Sequence, residues 1–355
     1  MIRFYLYFCS VLYLLIPNSI VGQPINYKLS GYLDTYYAMD NDSKFEVLSH
    51  KTRPFSYINK QKDEFRLNIA QLQLSGNYEN KVRGIITYHA GDLLHSGWED
   101  LGATDPTLQQ ANAGFVVLDK FWVDAGYFLT HIGGELLLPR DNWLSSHSLV
   151  TYFEPFYQTG VRVSYEGEKL TAQLHLLNGN GIFEDNNYNK SVGVYLGYCL
   201  TEDINICYAN VIGNEEAGNP ENARLMTFHN FDVYYNINPD LKVKGQLDFV
   251  TLEKSAGVET QSYMGVAAEA QYSFLRKHAF TLRSSYINTN NNLFIEAEYG
   301  YEVAAGIQYK PSDLVYFRIE SRIVTFDDNY KPFKVDADPS SSRIELMMNL
   351  GITLE

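Results

Sequence analysis

The connections between the alternating apolar/polar stretches of this chain are, in turn, tight and long. Between Leu72 and Leu314 the tight ones read Glu79-Asn80-Lys81, Asp119-Lys120, Glu166-Gly167-Glu168, Thr201-Glu202-Asp203, Asn238-Pro239-Asp240, Leu275-Arg276-Lys277 and Lys310-Pro311-Ser312-Asp313. All are hairpin-sized. Between them run longer polar segments rich in Asn and Gly, among them 40–63, 131–155 and 178–189. Short turns at one end and long loops at the other are the connectivity of an antiparallel up-and-down barrel that crosses a membrane with its strands.

A period of two places the strands near 27–39, 65–78, 82–94, 109–118, 121–130, 156–165, 170–177, 191–200, 204–213, 225–237, 241–254, 260–274, 278–287, 296–309, 315–326 and 343–354. About sixteen strands, an even number, would leave both termini on the periplasmic side. The last is the clearest. Ile344, Leu346, Met348, Leu350, Ile352 and Leu354 alternate with Glu345, Met347, Asn349, Gly351 and Thr353, so Leu350 should face lipid and Asn349 water. In 65–78 the phase slips between Ile69 and Leu72, which predicts a bulge. Tyr78, Phe121, Tyr165, Tyr198, Phe274 and Tyr309 all fall on the apolar face close to a tight turn. Rings so placed form an interfacial girdle, which neither a soluble sandwich nor a propeller requires.

The N-terminus sets the compartment. Arg3 precedes the apolar run Phe4–Ile16, too short to span a bilayer, and a cleavage point fits near Gly22-Gln23. Residues 1–22 therefore read as a secretory signal peptide and 23–355 as the barrel. Without Arg3 the balance is 27 basic against 42 acidic residues, a net charge of −15, which disfavours nucleic acid as a partner. A mean hydropathy of −0.24 does not argue against membrane insertion, because only one face of each strand meets lipid.

Several stretches together resemble the putative β-barrel porin-2 (OmpL-like) group of bacterial outer-membrane proteins. They are Gly31-Tyr32-Leu33-Asp34-Thr35-Tyr36-Tyr37, Phe65-Arg66-Leu67-Asn68-Ile69-Ala70, Val123-Asp124-Ala125-Gly126-Tyr127-Phe128, Ile132-Gly133-Gly134-Glu135, Pro155-Phe156-Tyr157-Gln158-Thr159-Gly160-Val161-Arg162, Leu177-Asn178-Gly179, Asp185-Asn186-Asn187 and Lys190-Ser191. The resemblance implies an outer-membrane channel, with lipid around it and small hydrophilic solutes or ions passing through, and it supplies no catalytic residues. No cofactor is expected.

About sixteen strands enclose a water-filled lumen. By parity its wall carries Asp34, Asp124, Asp232, Asp248, Glu269, Glu296, Glu298, Glu302, Glu320 and Glu345 against Lys28, Arg83, Arg162, Lys242, Lys244, Arg283, Arg318 and Arg322. The two signs nearly balance, so ion preference cannot be read from the list. Glu302 would face Arg322 if Tyr309 pairs with Val315.

The third long connection, 131–155, contains Gly133, Gly134 and Glu135, the run Leu136-Leu137-Leu138, and Arg140 with Asp141. An apolar run is out of place in an exposed loop. This loop is the candidate constriction, with packing over the rim or against a partner subunit, as in a homotrimer, as the alternatives. Cys199 and Cys207 flank a tight turn with the same parity, and an oxidising compartment permits a disulfide if the register brings them together. His147-Ser148 lacks a third group and reads as loop surface. The stretch 185–189 has no EF-hand spacing and reads as a turn. A diffusion channel leads. A barrel receptor or barrel enzyme on the same scaffold is the alternative.

Overall fold

The computed structural model describes residues 26–43, 53–95, 105–185, 189–215, 224–254 and 259–354. The expected signal peptide and Glu355 lie outside them. The strands in chain order are β1 Asn26–Asp40, β2 Phe65–Tyr78, β3 Val82–Ala90, β4 Leu108–Leu118, β5 Phe121–Leu129, β6 Tyr157–Glu166, β7 Leu170–Leu177, β8 Ser191–Cys199 and β9 Ile204–Asn214. They continue with β10 Leu225–Asn236, β11 Leu241–Leu252, β12 Gln261–Phe274, β13 His278–Asn290, β14 Tyr299–Ser312, β15 Val315–Phe326, the short β16 Phe333–Val335 and β17 Asp338–Ser340, and β18 Ser342–Leu354. Sixteen of them form a closed antiparallel barrel in sequence order, sealed by β1 against β18, while β16 and β17 pair only with each other. Closure satisfies every strand edge, which a bilayer demands.

The seal is long, running from Gly31 opposite Leu354 to Asp40 opposite Glu345. Tight turns and long loops segregate to opposite ends, and Asn26 and Leu354 both lie at the tight-turn end. At the β2–β3 turn, Glu79 (φ 49°) and Asn80 (φ 53°) both adopt the left-handed conformation. That primed geometry matches the twist of the flanking strands, and Lys81 N–H closes it on the Tyr78 carbonyl at 2.8 Å.

The expected bulge is found. Asp34 pairs with Ile69 and Thr35 with Leu67, which leaves Asn68 unpaired and turns both Asn68 and Ile69 inward, where they are buried. Elsewhere alternation holds: Leu282, Ile307, Ile323 and Leu350 are exposed on the outer face while Arg283, Glu302, Arg322 and Asn349 are buried on the inner one. The outer face is the lipid-facing surface.

Three expectations need correction. β14 starts at Tyr299, so Glu296 and Glu298 are exposed in the connection before it rather than on the wall. Glu298 is held there by its backbone, its N–H on Asp327 Oδ2 (2.7 Å) and its carbonyl on Thr289 N–H (2.8 Å). An irregularity near the turn puts Tyr309 opposite Phe317, so Arg322 stands opposite Ala304 and diagonal to Glu302. Asn349 does point inward, but into packed protein: it hydrogen bonds Asp34 and Asn59 and is 1% exposed.

Candidate functional site

The loop 131–155 enters the barrel, and its entry depends on two glycines. Gly133 has φ 105°, and a Cβ there would stand 2.5 Å from Glu154 Oε2; a Cβ on Gly134 would meet Asp232 Oδ1 at 2.5 Å. Tyr234 donates to the Gly134 carbonyl at 2.7 Å. Pro139 then opens a single 3-10 turn, Pro139–Asp141, as a residue without an N–H can at a helix start. The Asn142 side chain ties the loop to itself, accepting from Leu136 N–H at 2.8 Å. A second turn, Thr151–Phe153, begins where the Ser148 hydroxyl accepts Thr151 N–H at 3.1 Å.

A loop inside a barrel has backbone groups that no ladder satisfies, and leaving them bare is costly. The wall charges supply the partners. Arg318 donates to the carbonyls of Pro139 (2.6 Å), Asn142 (2.6 Å) and Leu144 (3.2 Å). Glu320 accepts Ser145 N–H (2.8 Å) and Ser146 N–H (3.1 Å), Glu302 accepts Leu149 N–H (2.6 Å), and Arg283 donates to the Ser146 carbonyl (2.7 Å). Room for the apolar side chains comes from wall glycines. A Cβ on Gly306 would lie 2.6 Å from Leu144, and one on Gly265 2.8 Å from Val150.

Glu135 lies at the centre of this arrangement. It pairs with Arg283 at 2.9 Å and accepts Ser148 N–H at 2.7 Å. Burial by itself would raise its carboxyl, yet Arg283, then Lys244, hold it well below the usual carboxylate range. Glu154, at the loop's far end, shows the reverse: burial, then the neighbouring carboxylates of Asp248 and Asp232, push it well above that range. His147 is depressed by burial, against the pull of Glu135, and its Nε2 lies 2.9 Å from the Leu136 carbonyl. With Ser148 it braces the loop from within rather than lying on the surface.

The loops build an apolar core across the lumen. Leu137 and Leu138 pack with Tyr32, Ile58, Ile69, Leu93, Phe183 and Tyr316, and Leu149 and Val150 with Phe55, Phe228, Ile287 and Phe326. The contribution of the first long loop was not read from sequence. Arg53 pairs with Glu345 and Asp40 and donates to the Asn59 carbonyl, while Asn59 joins Asn68 and Asn349 in a buried amide cluster that donates to the Asp34 carboxylate. The available signal was the apolar cluster Phe55, Tyr57 and Ile58 within a long loop.

The other expected wall residues fall into three groups. Arg322 bridges Glu302 (3.2 Å) and Glu345 (3.6 Å), and Arg283 also reaches Glu302 (2.7 Å). Asp232 lies by Asn230, Gln246 and Gly134, and Lys244 pairs with Glu269, with Lys242 further toward the turn on the same strand. On the opposite wall Arg83 and Arg162 share Asp124 beside an open cavity of about 680 Å³. It is lined from β1 to β6. Arg140 and Asp141 sit 3.7 Å apart on the loop, with Arg140 stacked on Tyr32.

The expected disulfide is absent from this geometry. Cys199 pairs with Asn205, and Cys207 with Gly197, the diagonal arrangement; both thiols are free and Cys207 Sγ lies 3.3 Å from Tyr195 OH. The stretch 185–189 lies partly outside the described residues. Among those described, no group of three or more His, Cys, Asp or Glu side chains is arranged to hold a metal ion.

A family model described as "Putative beta-barrel porin-2, OmpL-like" matches residues 26–354. No curated protein matches in sequence. Similar solved structures include OmpT, an outer-membrane protein of Vibrio cholerae, at 11% identity and a TM-score of 0.63 over 94% of this chain and 99% of that one. An anion-selective porin from Comamonas acidovorans gives 10% and 0.62 over 93% and 100%. The outer-membrane channel DcaP of Acinetobacter baumannii gives 12% and 0.60 over 92% and 97%. At these identities the likeness is one of fold.

Proposed function

Because the chain belongs to the putative β-barrel porin-2, OmpL-like family, we propose that this outer-membrane porin is a passive diffusion channel for small hydrophilic solutes, narrowed by the loop 131–155. The observation that supports the narrowing is the fixing of that loop to the inner wall through Arg283, Arg318, Glu302 and Glu320. The cavity between β1 and β6 is the room left for solute. The reading includes a signal peptide at residues 1–22 and a tight-turn end, with both termini, in the periplasm. It assigns the chain no catalytic chemistry. A homotrimer is proposed as the assembly, since the similar OmpT is also described in a trimer form.

The loop core favours one second reading, a barrel that binds at its outer face and conducts little. Planar-bilayer recording with sugars of graded size separates the two. A channel gives discrete current steps that smaller sugars reduce by entering, with a size cut-off. A silent, correctly folded protein would overturn the channel reading and favour the binding one.

A further inference from the structure

The charges of the lumen wall are sorted by burial according to sign. Acids that point inward from the strands are buried, from Asp34 and Asp248 at 0% to Asp232 at 7% exposed, and Asp40 at the long-loop end of β1 keeps only 1% of its side chain exposed; Glu166, at the tight-turn end of β6, is exposed. The cations divide. Arg283, Arg318, Arg322 and Arg343 are consumed in the loop core, whereas Lys28, Arg83, Arg162, Lys242 and Lys244 keep part of their surface accessible. Lys28, Arg83 and Arg162 line the 680 Å³ cavity together with Asn77, Gln110 and Asn112, and no acid lines it.

From this we infer that the open part of the lumen is electropositive, that the channel prefers small anions, and that Arg83 and Arg162 set the preference. The inference rests on the channel reading above. A permeant ion is governed by the charges nearest its path, because interaction energy falls with distance and with the water between. Asp124 stands behind the two guanidiniums, not between them and the cavity. It accepts Arg83 Nε (2.7 Å) and Nη2 (2.6 Å) and Arg162 Nη2 (3.2 Å) while only 1% exposed. That position exists because Gly114 lacks a side chain, since a Cβ there would lie 2.1 Å from Asp124 Oδ1.

Stacking fixes the guanidinium planes. Arg83 lies 4.3 Å from the Trp122 ring centre and Arg162 4.7 Å from that of Phe128. Of the exposed acids, Glu166 accepts Arg83 Nη1 at 2.7 Å and Asp141 lies beside Arg140 on the loop. Each is matched by a cation. The chain's overall negative charge therefore gives the wrong sign for the path.

The test is the reversal potential of the purified full chain in a planar bilayer under a potassium chloride gradient. Chloride should permeate in preference to potassium. Arg162→Gln leaves Asp124 its Arg83 partner and should move the ratio toward parity, as should Lys28→Gln at an exposed position; Asp124→Asn should move it further toward chloride. Heat-dependent electrophoretic mobility establishes that each variant is folded. A potassium preference, or a ratio that Arg162→Gln leaves unaltered, overturns this inference and leaves the channel reading standing. Absence of current overturns the channel reading, and this one with it.

Discussion

Glu154 anchors the C-terminal end of the inward loop with a carboxyl that burial and then Asp248 and Asp232 keep well above its ordinary range, while its Oε1 accepts Gln246 Nε2 at 2.6 Å. Because the folded value exceeds the unfolded one, the stabilisation is complete below the ordinary value of 4.5 and is lost as pH rises through the folded value. Alkaline conditions should therefore loosen this end of the loop. Single-channel conductance is expected to rise, with larger current fluctuations, as pH increases, and Glu154→Gln should flatten the dependence. The same pH slope in that variant would remove Glu154 from the account. Nothing in the sequence marked this residue. Its role comes from Asp232 and Asp248, distant in the chain and adjacent only once β10 and β11 pair under the loop.

At the scale of strands, alternation specifies most of what is observed, because a one-residue slip would expose every buried side chain of an element. The reading of 65–78 coincides with β2, and that of 315–326 with β15. It failed where period two carries no information. β16 and β17, three residues each, are too short to show it, and Glu296 and Glu298 continue the alternation past the point where pairing stops. Parity also assigned Asn349 to water correctly in direction and wrongly in environment, since the sequence cannot show that another loop fills the space. The lipid face can be tested on β18 itself. Leu350, 42% exposed outward, should make Leu350→Arg cost roughly 2–4 kcal/mol near mid-membrane. Gln110→Arg, from an inward position lining the cavity, should cost far less. Denaturant titration of both variants folded into lipid vesicles measures the difference, and equal costs would refute the assigned register.

The molecule as a whole combines two structures with separate sources of stability. The wall is held by its ladder and by lipid on the outside. The loop core is held by wall charges and by apolar contact on the inside, so the protein can lose the second and keep the first. Deleting 136–142 is a poor way to show this, because Arg318 would lose the Pro139 and Asn142 carbonyls that accept from it. Leu137→Ser with Leu138→Ser leaves those carbonyls in place and removes two side chains, each 3% exposed, from the cluster with Ile58, Leu93 and Phe183. Each large-to-small change in such a core costs about 2–5 kcal/mol, enough to release the loop from its seat. The barrel should still form, seen as unchanged strand content and heat-dependent mobility. Conductance should increase and the sugar cut-off shift to larger sizes, because a side-chain plug gives way to water. A folded double variant with unchanged conductance would show that the current bypasses this core, along the β1–β6 cavity alone.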